Sequence, residues 1–187
     1  LGIQLRLLAN MLDGLVAGRL EDVRLIAPAD AEVGEPFDCV VLADLRWLEA
    51  TRAVFTRARQ ESVPTVLDAD LGAREALPDL LRMADCAVFS APALREFSAA
   101  ATDEARLEHV LSFGPRHAGV TLGAEGYLWR DAEGGGRQPG FKVDVVDTTV
   151  AGDAFHGAFA LGLAEKRPMA EIAQFACAVA ALKCTRL

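Results

Sequence analysis

No stretch of the 187 residues approaches the roughly eighteen uninterrupted apolar positions of a membrane span, and the opening LGIQLRLLAN lacks a basic-then-apolar leader pattern. The expectation is a soluble, cytoplasmic protein with no membrane partner. Positive charge is also in short supply: 19 Lys and Arg stand against 27 Asp and Glu, a formal net charge of -8. The basic residues are scattered, so the footprint of a nucleic-acid binder is missing and no nucleic-acid partner is expected. That balance does not exclude a nucleotide, because a few backbone amides, one cation and a metal ion suffice locally. Cys39, Cys86, Cys177 and Cys184 form no CxxC pair and sit in apolar runs, which predicts buried thiols of a reducing compartment rather than disulfides or zinc ligands. His109, His117 and His156 show no metal-ligand spacing with an acidic or Cys partner. No GxGxxG follows a strand, which argues against a Rossmann-type oxidoreductase.

What the chain does have is apolar content: 52% of it is hydrophobic, enough for a sizeable core in one domain spanning 1–187. Short apolar runs bounded by breakers alternate with helix-length amphipathic segments, the pattern of a mostly parallel α/β sheet with helices on both faces. The runs Cys39 to Ala43, Thr65 to Leu67, Cys86 to Phe89 and Gly119 to Leu122 read as strands. Helices are expected over Glu49 to Glu61, after Pro92, and over Asp103 to Leu111. Gly126 to Trp129 and Lys142 to Val145 read as a hairpin around the loop Asp131 to Gly140, whose Gly134-Gly135-Gly136 predicts a mobile tip. Two helices close the chain, Ala151 to Ala164 and Met169 to Leu182. Pro168 separates them, and the second places Ile172, Phe175, Ala176, Val179 and Leu182 on one face.

The segment Val146-Asp147-Thr148-Thr149-Val150-Ala151-Gly152-Asp153-Ala154-Phe155-His156-Gly157 carries the chemistry. It runs from a strand end through small residues into an apolar helix. At such a helix start several N–H groups lack intrahelical partners and the macrodipole adds partial positive charge. Ala151 and Gly152 let anionic oxygens approach the backbone closely, so charge developing on a transferring phosphoryl group would be stabilised there. Asp153 lies in the same turn, placed to accept a proton from a substrate hydroxyl. His156 follows on the same helix face and is expected to pack or cap.

The string DTTVAGDAFHGAF resembles the second signature of the PfkB (ribokinase-like) carbohydrate kinases, usually DTxGAGD followed by an aromatic and small residues. The resemblance implies a ribokinase-like fold and ATP-dependent phosphorylation of a sugar hydroxymethyl, with ATP and Mg2+ as cofactors. It makes Asp153 the general base and Val150, Ala151, Gly152 and the Asp153 amide the anion hole. Val150 stands where the family has a small residue, usually Gly; if the position needs positive φ, a β-branched residue there costs roughly 1–3 kcal/mol. The alternative is therefore a catalytically impaired homologue that binds a sugar or nucleotide. Val120-Thr121-Leu122-Gly123-Ala124-Glu125-Gly126 is similar to the family's VTxGxxG segment, which implies ATP contacts for Thr121, Gly123 and Gly126, with Thr148 on the same side. Ser90-Ala91-Pro92-Ala93 lies where the family carries Asn-x-x-Glu; both polar anchors differ, Glu96 has the wrong spacing, and no protein metal ligand is assigned.

Asp44-Leu45-Arg46-Trp47 and Asp68-Ala69-Asp70 follow predicted strands, where open α/β sheets place ligands. Asp44, Arg46 and Asp70 are the candidate substrate residues, Arg46 as a bidentate contact for an anionic group or as half of a surface salt bridge. The combination DLRW, LDAD and KCTR resembles the subgroup containing sulfofructose kinases, which implies a sugar or sugar-acid substrate. The family's N-terminal substrate motifs and small β lid are not recognisable in this sequence, and 1–27 is only faintly similar to its early helix-and-turn region. Family members often pair through that lid, which implies a homodimer.

Overall fold

The computed structural model describes residues 40–72 and 74–186. The expectations for Cys39 and for 1–27 lie outside them. Six strands form one sheet in chain order: β1 (Val41–Ala43), β2 (Thr65–Ala69), β3 (Cys86–Ser90), β4 (His117–Thr121), β5 (Tyr127–Asp131) and β6 (Gly136–Gln138). The first four are mutually parallel, and β5 and β6 run antiparallel to their neighbours.

Between the parallel strands run α1 (Leu48–Gln60), α2 (Leu77–Leu81), α3 (Ala91–Phe97) and α4 (Asp103–Leu111). A parallel sheet in sequential order, with crossovers of one hand, sends every connection to the same face. Accordingly Phe55 and Ala58 of α1, Leu80 and Leu81 of α2, Leu94 of α3 and Leu107 and Val110 of α4 share one core with Leu67, Ala69, Ala87, Phe89 and Val120 of the strands. The opposite face is left for α5 (Ala151–Ala164) and α6 (Met169–Cys184), which bury Phe155, Phe159, Ile172 and Ala176 against Val66, Val88, Tyr127 and Trp129. Alternation along each strand divides the residues: Val66 faces α5 and α6, Leu67 the other layer. Each fully buried Leu or Phe contributes roughly 1.5–3 kcal/mol of transfer free energy.

Local chemistry sets the boundaries. Ser90 caps α3 through Ala93 N–H at 3.4 Å, with Pro92 in the first turn, and Thr102 caps α4 through Ala105 N–H at 3.2 Å. Helix α1 ends at Glu61, where Ser62 turns to φ 59° ahead of Val63-Pro64.

Several expectations need correction. The hairpin's second strand is Gly136–Gln138; Lys142 to Val145 pairs with no strand among the described residues, and Lys142, Asp144 and Val145 are exposed. Gly136 starts that strand because a side chain there would run into the Trp129 ring, 2.5 Å from its nearest atom. Glycine is required at this point for close packing, so the tip is a built turn. Helix α2 has no counterpart in the sequence reading: five residues are too few to show a period, and Pro78 reads as a breaker although it sits in the first turn. In α6, Ile172, Ala176 and Val179 are buried as expected, but Leu182 is 39% exposed and Lys183 is buried in its place. Cys86 and Cys177 are buried and free, and Cys184 is free and half-buried. Burial pushes the Cys86 thiol up to about 12 and that of Cys177 to about 11.

Candidate active site

Because β1 to β4 are parallel, their carboxyl ends share one edge of the sheet. Asp44 follows β1, Asp68 and Asp70 close β2, Ser90 ends β3 and Thr121 ends β4, with Ser90 and Thr121 directly opposite each other. Helix α5 begins at this edge on the opposite face from the crossover helices.

The residue before α5 is Val150, at φ 63° and ψ 6°, the left-handed conformation that the missing glycine would adopt freely. The loop reaches this state through Asp147, whose Oδ1 accepts the Thr149 N–H at 3.0 Å and the Thr149 hydroxyl at 2.8 Å. Ala151 N–H donates to Thr148 O at 3.2 Å and Ala154 N–H to Val150 O at 2.9 Å. The Gly152 and Asp153 amides have no acceptor among the described residues. The free donors are thus these two, while the Ala151 amide, expected to join them, closes the turn instead. A side chain at Gly152 would meet nothing within 4 Å, so the space above the helix mouth is open. Asp153 sits there half-buried and within electrostatic reach of Asp68.

Asp68 was not among the nominated site residues. It lies on the α5 side of β2, and the signal was present: alternation puts it on the face of Val66. Its carboxylate is 18% exposed, with Oδ1 at 3.4 Å from His156 Nε2. Burial raises its pKa above the ordinary value; His156 opposes that shift, and the negative charges of Asp153, Asp70 and Asp44 add to it. Four carboxylates from three segments, the ends of β1 and β2 and the start of α5, therefore converge on this edge.

His156 packs as expected and does more. Its Nδ1 lies 2.8 Å from Gly152 O, and its Nε2 faces Val88 O at 3.4 Å as well as Asp68. Both ring nitrogens thus face acceptors, which fixes the ring between the start of α5 and the strands β2 and β3. Asp70 is exposed and accepts a hydrogen bond from Ser90 Oγ at 2.7 Å. Ser90 is thereby committed to Asp70 and to capping α3. The Asp44 carboxylate accepts the Arg46 N–H at 2.9 Å and has the Arg46 guanidinium at 3.7 Å, 55% exposed. Thr121 Oγ1 donates to Phe89 O at 3.3 Å, which ties the ends of β3 and β4. Gly123 is exposed at φ 58°, and Gly126 is buried at φ 95°, where a Cβ would stand 2.0 Å from Gln138 O. Thr148 is exposed beside the helix mouth.

The model of the pfkB family carbohydrate kinases matches residues 20–187. A ribokinase of Lactococcus lactis is 49% identical over 59 residues, 32% of this chain and 20% of that enzyme. A ribokinase of Schizosaccharomyces pombe is 38% identical over 85 residues, 44% of this chain and 27% of that enzyme. Among solved structures, aminoimidazole riboside kinase from Salmonella enterica superposes with a TM-score of 0.73 at 27% identity, over 82% of this chain and 59% of that one. Ribokinase from Thermotoga maritima gives 0.74 at 26%, over 86% and 56%. The chain thus spans little more than half the length of these structural relatives. With a family match that takes in the sheet, α5 and α6, the chain belongs to the pfkB family of carbohydrate kinases and has the ribokinase-like fold.

Proposed function

We propose that this chain carries the phosphoryl-transfer site of an ATP-dependent sugar kinase. The observation that carries the reading is the mouth of α5: two free amides, Gly152 and Asp153, open to the space beside the Asp153 carboxylate. In this reading a sugar hydroxymethyl gives its proton to Asp153 as its oxygen attacks the γ-phosphorus in line, and ADP leaves with the bond to the β-phosphate oxygen. The two amides and the α5 dipole stabilise the charge that gathers on the phosphoryl oxygens. Thr121, Gly123, Gly126 and Thr148 line the nucleotide side; Asp44, Arg46 and Asp70 face the sugar or sugar acid.

The oxygen donors at this edge suit a hard cation, and magnesium would neutralise phosphate charge there. Among the described residues no group of three His, Cys, Asp or Glu side chains forms a metal site by itself, so the ion would be held largely by the nucleotide. The Salmonella relative has also been crystallised with aminoimidazole riboside and an ATP analog, which supports a nucleotide and a sugar-bearing acceptor for this site. Val150 bears on the alternative of an impaired binding homologue. Its left-handed φ keeps the turn a glycine would make, which favours the active reading.

The test is a screen of phosphoryl acceptors with ATP and magnesium, covering fructose, deoxy-ketosugars, ribose and anionic sugars, read as ADP release and product mass. Transfer to one of them is the expected result. ATP binding with no transfer to any would favour the impaired homologue.

A further inference from the structure

We propose that Lys183 is a positioning residue for the anion hole, its ammonium clamping Asp147 and so holding the loop that forces Val150 into its left-handed conformation. Lysine is almost never fully buried unless paired. The Lys183 side chain is 4% exposed, in the last turn of α6. Its Nζ lies 2.8 Å from Asp147 Oδ2, 3.4 Å from Asp147 O and 3.2 Å from Arg186 O, so three oxygens surround a group with three donors. The carbonyl end of α6 adds its own partial negative charge.

The clamp leads directly to the helix mouth. Asp147 Oδ2 is held by Lys183 while Oδ1 is held by Thr149, so each carboxylate oxygen has an assigned partner. The Lys183 hydrogen bond, followed by those from Thr149, holds the Asp147 carboxyl down at about 2. A second tie comes from α6 itself: Cys184 O accepts the Val146 N–H at 2.7 Å and the Asp147 N–H at 3.2 Å. Three residues further on stands Val150, whose φ of 63° is strained for a β-branched residue and persists only where the surroundings over-determine it. Lys183 makes no hydrogen bond to Gly152 or Asp153; it acts through Asp147 on the turn that aims their amides. Its packing position explains why a lysine replaces the apolar residue that helix periodicity calls for. The inference rests on the reading of the α5 mouth as the phosphoryl site.

The experiment is a cycle of Lys183→Met, Val150→Gly and the double variant in the full-length protein, read by steady-state kinetics and by urea unfolding. Lys183→Met is expected to lower kcat about ten-fold or more, the scale of a misplaced catalytic group, with the acceptor KM largely kept. Val150→Gly alone sets the baseline against which the double variant is read. Added to Lys183→Met it should restore most of the lost kcat, since glycine adopts the turn without strain. In urea, Val150→Gly should stabilise the wild type more than it stabilises Lys183→Met, where the loop has already shed the strain. A kcat for Lys183→Met within two-fold of wild type, or no rescue by Val150→Gly, would overturn the inference. Equal stability gains in the two backgrounds would overturn it as well, and that readout does not depend on turnover. A wild type that phosphorylates no acceptor would count against the proposed function, while the urea cycle would still decide the clamp.

Discussion

The two ends of the parallel sheet treat their polar groups in opposite ways. At the amino end Asp85 Oδ2 accepts both the N–H and the hydroxyl of Thr65 at 3.0 Å, and the Asp85 N–H donates back to Thr65 Oγ1 at 2.9 Å. Beside it the buried His117 ring pairs through Nε2 with Tyr127 Oη at 2.7 Å. These pairs join neighbouring strands, and the one polar atom they leave over is His117 Nδ1, 3.9 Å from the Asp131 carboxylate. At the carboxyl end Asp44, Asp68, Asp70 and Asp153 share one edge, and two amides have no acceptor among the described residues. Like charges brought together and donors left open oppose folding. One end therefore contributes stability and the other holds the groups that a polyanionic substrate and its cation would satisfy.

This contrast makes the ends respond to acid with opposite sign. Burial pushes His117 down to about 4, with Asp131 only partly opposing it. The unfolded ring takes its proton near 6.5 and the folded ring does not, so stability falls as pH drops from about 6.5 to about 4, by about 3 kcal/mol. Urea midpoints measured across that window should show the loss in wild type, and His117→Gln should flatten it. An unchanged slope would break the comparison. Asp68 runs the other way: its folded carboxyl keeps a proton to higher pH than the unfolded one, so its contribution to stability grows as pH falls. Asp68→Asn should remove that acid-side gain while shifting stability at pH 7 by no more than about 1 kcal/mol, in either direction. A loss several times larger would show that the Asp68 charge is needed for folding, and the two ends would cease to differ.

Much of this was legible because it is local. The bounds of α4 and α5 emerge as read, since Thr102, Pro168 and the apolar periodicity mark them within a few residues. The left-handed turn at Val150 follows from the small residue it displaces. What escaped depends on distant partners. Lys183 looks like a solvated helix residue until Asp147 folds against it. Asp68 looks like one of two equivalent carboxylates in LDAD until α5 covers its side of the sheet and brings His156 to it. The β6 strand was displaced in the reading because glycine suggests flexibility, and only the Trp129 ring shows why no side chain fits.

The central claim is that Asp153 takes the acceptor's proton at the mouth of α5. Turnover and ATP affinity of Asp153→Asn, measured side by side with wild type, test it most directly. A loss of roughly 100- to 10,000-fold in kcat, with ATP binding kept, is the result the mechanism requires. Turnover equal to wild type would contradict it.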